Sequence, residues 1–168
     1  MTGMLRFQSV SYSYAGTDAR ALHDMTLDLP AGALVGIRGD NGSGKSTLGL
    51  VACGAAPAFL GGQLSGHVTW NGAPLLPHLI RDTSTMVFQD PYTYFTGHTV
   101  LDEVGAIGPC GGSLQRVGQS ILGLEDLDVP LHHLSVGQQQ LLAVASALLS
   151  GRRVVVLDEP FAALDPHA

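Results

Sequence analysis

The residues with the clearest chemical capability lie in segment 39–47, whose sequence is Gly-Asp-Asn-Gly-Ser-Gly-Lys-Ser-Thr. The segment matches G-x-x-x-x-G-K-[ST], a pattern typical of loops whose backbone N–H groups surround phosphate oxygens. We expect Lys45 to reach the β- and γ-phosphates of a nucleotide and the Ser46 hydroxyl to bind Mg²⁺. The predicted phosphate-binding residues are Gly39, Asn41, Gly42, Gly44, Lys45, Ser46 and Thr47.

The alternative is a glycine-rich turn that binds no ligand, and the flanking sequence argues against it. Leu34–Ile37 is a short apolar run that favours a strand, whereas residues 46–53 favour a helix. A phosphate would then lie at a helix N-terminus, where free N–H groups and the helix dipole stabilise anions. Lys45 is also the only lysine in the chain.

Further polar residues follow two predicted strands. The apolar run Val154–Leu157 favours a strand buried on both faces of a parallel sheet, and Asp158 and Glu159 come directly after it. In phosphate-loop enzymes an aspartate at this position supports Mg²⁺, and an adjacent glutamate can polarise the attacking water. Gln89 follows a second predicted strand, residues 85–88, at the edge where ligands gather in open α/β sheets. A glutamine without a binding role is the alternative there.

Composition limits the classes of function. The chain has 168 residues, of which 45% are apolar and 13% charged, and this predicts a single folded domain over residues 1–168. The net charge of −6, without a basic run, argues against nucleic acid as a partner. Cys53 and Cys110 lack metal-binding spacing and are expected to be free thiols. No apolar run approaches the ~18 residues of a membrane span, so a membrane role would require a partner.

The amino-terminal third alternates polar and apolar residues in the manner of antiparallel strands. Residues 5–14 and 25–29 carry this alternation, which predicts two hairpins before the phosphate loop. Tyr14, or Tyr12 on the same face, is a candidate surface on which a nucleotide base could stack. The alternative is that both rings only pack the sheet.

The middle of the chain carries turn and helix signals. Residues 57–66 are glycine-rich and predicted as a loop, and Asn71-Gly72 predicts a hairpin turn after a short strand. Thr99 precedes two acids and favours a helix start, and helical spacing recurs over residues 113–122. These segments belong to a predicted helical subdomain inserted over residues 92–149.

A further candidate anion site precedes the helical run 139–149. Ser135 and Gln138 have the spacing of a capping box, which alone would explain these two residues. Gly137 is a poor helix former, and its N–H could help to bind an anion at the helix N-terminus. The candidate binding residues here are Ser135, Gly137 and Gln138.

Together these motifs resemble the ATP-binding subunits of ABC transporters over essentially the whole chain. The most specific element is Leu134–Gln140, which is similar to the family signature L-S-G-G-Q and precedes Leu157–Pro160. Phe88–Pro91 resembles the family's Q-loop and Ala163–Pro166 its D-loop, while Tyr14 stands where the family carries an adenine-stacking aromatic residue. The resemblance implies an α/β P-loop NTPase fold with an N-terminal antiparallel β-subdomain and a small inserted helical subdomain, its C-terminal part missing.

The resemblance also implies cofactors and residue roles. The cofactors would be ATP and Mg²⁺, with the metal held by Ser46, Gln89 and Asp158. Glu159 would be the general base, and Lys45 and Gln89 would be the other catalytic residues. The implied activity is hydrolysis of ATP to ADP and phosphate, coupled to transport.

The implied partners are a second ATP-binding domain, identical or different, and an integral-membrane transporter subunit. The two ATP-binding domains would lie head to tail, so that Ser135, Gly137 and Gln138 contact the nucleotide held by the partner. Asp165 would act across this interface, and residues 92–108 would contact the membrane subunit. The implied location is the cytoplasmic face of the membrane, as a peripheral protein.

Three departures from the family pattern carry expectations of their own. Val136 replaces the first signature glycine, so a branched side chain stands where backbone is expected to approach phosphate. Leu141 replaces an arginine. The chain also ends at Ala168, before the family's switch histidine, and the strand expected between those of Val35 and Val155 is missing. Two buried sheet edges would then be unpaired.

Two other functions fit parts of the sequence. An ATP-binding but hydrolytically weak fragment or regulatory half would fit Val136 and the short chain, although the catalytic residues favour hydrolysis. A non-transport ABC ATPase of DNA repair or translation would carry long coiled coils or basic surfaces, which the sequence lacks. Among transporters, Thr99–Pro109 and Ser146 resemble energy-coupling-factor and cobalt-type ATPases, whereas Tyr92–Tyr94 departs from them.

Overall fold

A computed structural model of the chain describes residues 3–75, 83–105, 120 and 122–160. The chain divides into two compact units, residues 1–85 and 86–168. The helix predicted over residues 113–122 lies almost entirely outside the described residues, as do Cys110 and Asp165. The helix and the roles of these two residues therefore stay predictions.

The first unit is built on a four-stranded antiparallel sheet. Its strands are β1 (Met4–Ser13), β2 (Arg20–Pro30), β3 (Gln63–Trp70) and β4 (Ala73–Pro74), in the order β2-β1-β3-β4. Leu5 and Phe7 of β1 are buried and lie opposite β2 on one side and β3 on the other. The alternating pattern of the sequence therefore predicts the buried face correctly.

The prediction of two hairpins before the phosphate loop is wrong, because Met4–Ser13 forms one long strand rather than two. A bulge between Phe7 and Val10 absorbs the break in alternation, and Ser9 there has a positive φ of 49°. Only the hairpin of β1 and β2 precedes the loop. The hairpin turn predicted at Asn71-Gly72 is confirmed, with φ angles of 53° and 79° at the two central residues.

The loop predicted over residues 57–66 is too long, since β3 already begins at Gln63. Gln63 pairs with Ser13 at the far end of β1, so the sheet extends into the glycine-rich stretch. Gly66 lies opposite the bulge of β1, and a Cβ atom at this position would collide with the Ser9 carbonyl oxygen. A glycine is thus required where the two backbones approach each other.

Residues 34–37 do not form the strand that their apolar character predicts. Residues 33–40 adopt neither helix nor strand, and Leu34 is 99% exposed. An isolated apolar run gains nothing from an extended conformation unless a neighbouring strand accepts its backbone hydrogen bonds. None of the described strands is paired with this segment.

Two helices follow the phosphate loop in the first unit. Helix α1 (Lys45–Ala52) confirms the prediction within one residue at each end, and the short α2 (Ala55–Ala58) follows it. Cys53, which follows α1, has a buried thiol that donates to the Leu50 carbonyl oxygen at 3.4 Å, and burial raises the pKa of this thiol. The Ser84 hydroxyl donates to the Cys53 carbonyl oxygen at 2.6 Å, which ties the end of α1 to the start of a later strand.

Strand β5 (Ser84–Val87) starts at the end of the first unit and continues into the second, where it forms a two-stranded sheet with β6 (Val154–Leu157). The helices of the second unit are α3 (Val100–Gly105) and α4 (Val136–Leu149), with 3₁₀ turns at Pro91–Thr93 and Leu131–His133. One core cluster joins Leu142 of α4 to Val100, Val104 and Leu131. A second joins the small residues Ala143 and Ala147 of α4 to Val87 of β5.

The expectation that β6 is buried on both faces is wrong, because all four of its residues are only half-buried. Among the described residues β6 has one strand neighbour, β5, and its other edge pairs with none of those residues. The backbone N–H of Asp158 donates to the Val87 carbonyl oxygen at 2.9 Å. The carboxyl ends of β5 and β6 therefore lie side by side, as in a parallel pair.

Helix α3 begins as predicted and is held by its own acids. The Thr99 hydroxyl accepts from the Asp102 N–H at 3.1 Å, and the Asp102 carboxylate accepts from the N–H groups of His98 and Thr99. These hydrogen bonds, chiefly those from Thr99, lower the pKa of Asp102. Glu103 is 4% exposed and accepts from the N–H groups of Thr96 and Gly97 at 2.8 and 2.9 Å. The turn before α3 is thus fixed by two carboxylates.

None of the helices in the described residues is both long and apolar enough to cross a membrane.

Candidate functional site

The phosphate loop of the first unit has the backbone that its glycines predict. Gly42 and Gly44 adopt positive φ angles of 79° and 93°, and the Ser43 N–H closes a turn on the Asp40 carbonyl oxygen at 3.1 Å. Helix α1 starts directly afterwards, with the Leu48 N–H bonded to the Gly44 carbonyl oxygen at 2.8 Å. The N-terminal N–H groups of α1 have no intrahelical acceptor, as in every helix.

Two of these glycines differ in what a side chain would meet. A Cβ atom on Gly44 would collide with the Ala21 carbonyl oxygen of β2 and press on the Leu22 side chain. A Cβ atom on Gly42 would meet no atom within 4 Å. The loop is therefore packed against the sheet at Gly44 and open at Gly42, where a phosphate can approach the backbone.

The ammonium group of Lys45 lies across the loop. It donates to the carbonyl oxygens of Gly39 and Asp40, both at 2.9 Å. An ammonium has three hydrogens, so one stays available for an anionic ligand. Asn41 and Ser46 are exposed, whereas Thr47 is buried in the first turn of α1.

The structure distinguishes the two candidate aromatic residues, Tyr12 in β1 and Tyr14 directly after it. Tyr12 is 1% exposed and donates to the Gly61 carbonyl oxygen at 2.7 Å, so it packs the sheet. Burial raises the pKa of Tyr12, and the neighbouring Tyr14 raises it further. Tyr14 is 36% exposed, and its hydroxyl lies 3.0 Å from Thr47 Oγ1. Tyr14 is therefore the ring that a base can reach.

In the second unit, Gln89, Asp158 and Glu159 follow the adjoining carboxyl ends of β5 and β6. Gln89 and Glu159 are exposed, and Asp158 is half-buried. Glu159 has a φ of 48°, an uncommon backbone conformation for a residue other than glycine. Outliers of this kind occur preferentially at functional sites, where the surrounding structure enforces them.

The signature segment forms the N-terminus of α4, which begins at Val136, three residues before the predicted start. The predicted capping box is present: Ser135 Oγ accepts from the Gln138 N–H at 3.2 Å, and Gln138 Oε1 accepts from the Ser135 N–H at 3.0 Å. Gln138 Nε2 donates to the Leu122 carbonyl oxygen at 3.0 Å. Both polar atoms of the Gln138 side chain are thus engaged within the unit, while Gly137 lies in the first turn.

Sequence reasoning missed Gln140, which is 1% exposed in the middle of this segment. Neither the nitrogen nor the oxygen of its amide has a hydrogen-bond partner in the part of the chain that the structure describes. The buried Ser146 hydroxyl is also unpaired within that part. The sequence contains no clear signal for this burial, because the orientation of a glutamine in a helix follows only once the packed face is known.

The residues proposed for the metal suit Mg²⁺ by their chemistry. Ser46 and Asp158 offer oxygen atoms, which Mg²⁺ prefers, and Asp158 brings a negative charge. No group of three or more His, Cys, Asp or Glu side chains able to hold a metal occurs in the described residues.

Comparison with known sequences gives consistent matches. The sequence profile of the ABC transporter family matches residues 22–162. A Streptomyces avermitilis protein provisionally named an ABC transporter ATP-binding protein is 38% identical over 98% of this chain and 31% of its own length. The ribose import ATP-binding protein RbsA of Hahella chejuensis is 31% identical over 99% of this chain and 35% of its own length. The chain therefore spans about a third of these relatives.

Comparison with solved structures agrees. CbiO1 from Clostridium perfringens, part of the ABC transporter complex CbiONQ, matches with a TM-score of 0.75 and 28% identity, over 97% of this chain and 68% of its own. A bacterial Atm1-family ABC exporter with ATP bound matches with a TM-score of 0.80 and 21% identity, over 99% of this chain and 31% of its own. The second likeness supports the fold alone.

Proposed function

Because this chain belongs to the ABC transporter family, whose profile it matches over residues 22–162, we propose that it binds and hydrolyses ATP to energise transport through a separate membrane subunit. The observation that carries the proposal is the phosphate loop, which combines an open backbone at Gly42 with a lysine ammonium and a free helix N-terminus. These groups are the donors that phosphate oxygens need.

The proposed nucleotide-binding residues divide between phosphate and base. Gly39, Asn41, Gly42 and Gly44 provide the loop backbone, and Lys45, Ser46 and Thr47 add side chains at the start of α1. Tyr14 stacks on the base, because it is the exposed ring of its pair. The predicted ligand is therefore ATP.

The proposed hydrolytic residues are Glu159 as general base and Lys45 and Gln89 as charge-stabilising groups. Glu159 would accept a proton from the attacking water as its oxygen bonds to the γ-phosphorus, while the bond to the ADP oxygen breaks. Ser46, Asp158 and Gln89 would hold Mg²⁺, which supplies charge neutralisation at the phosphates when bound. The exposure and unusual φ of Glu159 support its assignment.

The proposed partners are a second ATP-binding domain and an integral-membrane subunit. Ser135, Gly137, Gln138 and Asp165 would act toward the nucleotide of the second domain, arranged head to tail. Residues 92–108 would meet the membrane subunit at the cytoplasmic face of the membrane. The CbiO1 match supports the presence of partner subunits, since that protein is part of the ABC transporter complex CbiONQ.

The test is ATP binding by the purified chain, followed by phosphate release with Mg²⁺. We expect Lys45→Ala to abolish binding and Glu159→Gln to retain binding while abolishing turnover. An unchanged affinity in Lys45→Ala would overturn the phosphate site. Turnover that survives Glu159→Gln would overturn its role as general base.

A second candidate function, ATP binding with weak hydrolysis, is favoured by two observations. Val136 presents a branched side chain, 56% exposed, in the first turn of α4. The segment 34–37 beside the phosphate loop forms no strand. Binding of ATP without turnover, unchanged by Val136→Gly, would support this function over the first.

A further inference from the structure

One hydrogen bond joins the proposed base-stacking ring to the phosphate-binding helix of the first unit. The Tyr14 hydroxyl and Thr47 Oγ1 are 3.0 Å apart, and either oxygen can be the donor. Thr47 lies in the first turn of α1 and is 7% exposed. The end of β1 and the start of α1 are thus connected through two hydroxyl groups.

The Tyr14 ring is also held from its other side. Tyr12 meets it edge to face, with ring centroids 5.0 Å apart and an interplanar angle of 79°. Tyr12 is itself fixed by burial and by its hydrogen bond to the Gly61 carbonyl oxygen. A Cβ atom on Gly62 would lie 2.8 Å from the Tyr12 hydroxyl, so the backbone packs closely around that ring. Tyr14 therefore contacts a buried, hydrogen-bonded ring, Tyr12, through its own ring and Thr47 through its hydroxyl.

We propose that the Tyr14 hydroxyl is a positioning group that sets the distance between the base-stacking ring and the phosphate loop. A hydroxyl donates one hydrogen bond and accepts two, so Thr47 can accept from Tyr14 while it donates to a phosphate oxygen. A phosphate oxygen can only accept a hydrogen bond. If the Thr47 hydroxyl donates its one hydrogen to the phosphate, its bond to Tyr14 must be one in which Tyr14 donates. This inference rests on the proposed function and deepens it: the ligand class is a nucleotide in which a base is joined to a phosphate chain.

Two ligands distinguish the role of Tyr14 from that of the phosphate-binding residues. A ligand with both a base and phosphates, such as ATP, benefits from a ring held in place before binding. A ligand with phosphates alone, such as tripolyphosphate, makes no use of the ring. Removing the Tyr14 hydroxyl should therefore weaken ATP binding and leave tripolyphosphate binding unchanged.

The experiment measures the Kd of ATP and of tripolyphosphate by calorimetry for the full chain and its variants. Tyr14→Phe keeps the ring and removes the hydroxyl, and it should weaken ATP binding about fivefold, the equivalent of one net hydrogen bond of ~1 kcal/mol. Tyr12→Phe is the matched control: it keeps the buried ring that meets Tyr14 and removes only a hydroxyl bonded to Gly61, so it should weaken ATP binding less than Tyr14→Phe does. Thr47→Ser keeps the hydroxyl, so Tyr14→Phe should weaken ATP binding in this background as it does in the wild type.

The Thr47→Val background tests whether the two hydroxyls act through one bond. Tyr14→Phe should cause no further loss of ATP affinity there, since the partner oxygen is already absent. The proposal is overturned if Tyr14→Phe binds ATP like the wild type, if it weakens tripolyphosphate binding equally, or if its effect persists in Thr47→Val.

Failure of the wild-type chain to bind either ligand would remove the proposed function itself. If the wild type binds both ligands with equal affinity, the phosphate site stands and the positioning role falls.

Discussion

The phosphate loop and the signature segment each lead into a helix N-terminus, but only the second of these helices has a side-chain cap for its N–H groups. Helix α1 is preceded by Gly44, which has no side chain to cap the free N–H groups. Helix α4 is preceded by Ser135, whose hydroxyl and N–H both exchange hydrogen bonds with Gln138. The first end leaves donors for an external acceptor, and the second satisfies part of its own.

This difference separates two meanings of one local signal. A glycine N-cap leaves the helix N–H groups free for an external acceptor, and it costs only about a few tenths of a kcal/mol relative to a capping serine. A capped end needs no ligand to be stable, so a binding role there must rest on other evidence. Ligand affinity should thus be sensitive to the loop, and fold stability should be sensitive to the signature segment.

The largest expected effect is that of Gly44→Ala at the open end. The new side chain would collide with the Ala21 carbonyl oxygen in a backbone conformation with a φ of 93°. We expect a loss of unfolding free energy on the order of 3 kcal/mol, together with loss of ATP binding. Urea unfolding and calorimetry measure the two effects.

The matched control is Gly16→Ala in the turn between β1 and β2. Gly16 also has a positive φ, 78°, but a Cβ atom there would meet nothing within 4 Å. We expect a cost of only about 1 kcal/mol from backbone strain and no change in ATP affinity. Equal losses in the two variants would mean that the collision at Gly44 does not matter.

The next largest effect is expected in α4, where a substitution should raise the unfolding free energy instead of lowering it. Gln140→Leu removes a buried amide without partners in the described residues, so the unfolding free energy should rise by about 1–2 kcal/mol. The neighbouring Gln139 donates to the Leu131 carbonyl oxygen at 3.0 Å, and Gln139→Leu should lower the free energy by about 1 kcal/mol. A destabilised Gln140→Leu would show that the amide has a stabilising role.

The serines at the two helix N-termini, Ser135 and Ser46, can be compared by replacing each with alanine. Ser135→Ala removes the cap of α4 and should lower the unfolding free energy by about 1 kcal/mol. Ser46→Ala, at an exposed position of α1, should change it by less than about 0.5 kcal/mol while weakening Mg²⁺-dependent ATP binding. Thermal unfolding and binding titrations, made on the same samples, check both. Reversed sensitivities would contradict the comparison.

The smallest expected effect is the pH dependence that Asp102 adds near the start of α3. Its folded pKa lies below the ordinary value of 3.8, because backbone N–H groups and the Thr99 hydroxyl favour the carboxylate. Its stabilising contribution is therefore complete above pH 3.8 and lost as pH falls through the lowered pKa. The stability difference between wild type and Asp102→Ala should shrink on acidification below that point. A difference independent of pH would contradict the assignment.

The local elements were predictable wherever sequence and neighbours agree. Helix α1, the Asn71-Gly72 turn and the Ser135 capping box follow from signals within a few residues of one another. The strand expected at residues 34–37 and the burial expected for β6 were not predictable, since both depend on which strands lie alongside. Whether an apolar segment pairs as a strand depends on the neighbouring strands of the sheet and not on the segment's own sequence alone.

The candidate site shows the same division. The loop residues could be named from their spacing, but the choice between Tyr12 and Tyr14 required knowing which ring is buried. The unpaired amide of Gln140 escaped notice because a glutamine in a helix gives no sign of its orientation unless the packed face is known. The roles of Asp158, Glu159 and Gln89 remain predictions.

The position of Lys45 allows acylation of its side chain to report whether the phosphate loop is occupied by a ligand. Apart from the α-amino group, its side chain is the only primary amine of the chain, and two loop carbonyl oxygens hold it. An acylating reagent must compete with those hydrogen bonds, and a bound polyphosphate would exclude it altogether. Mass spectrometry after a short acylation would therefore count the fraction of molecules with a filled loop, without any engineered label.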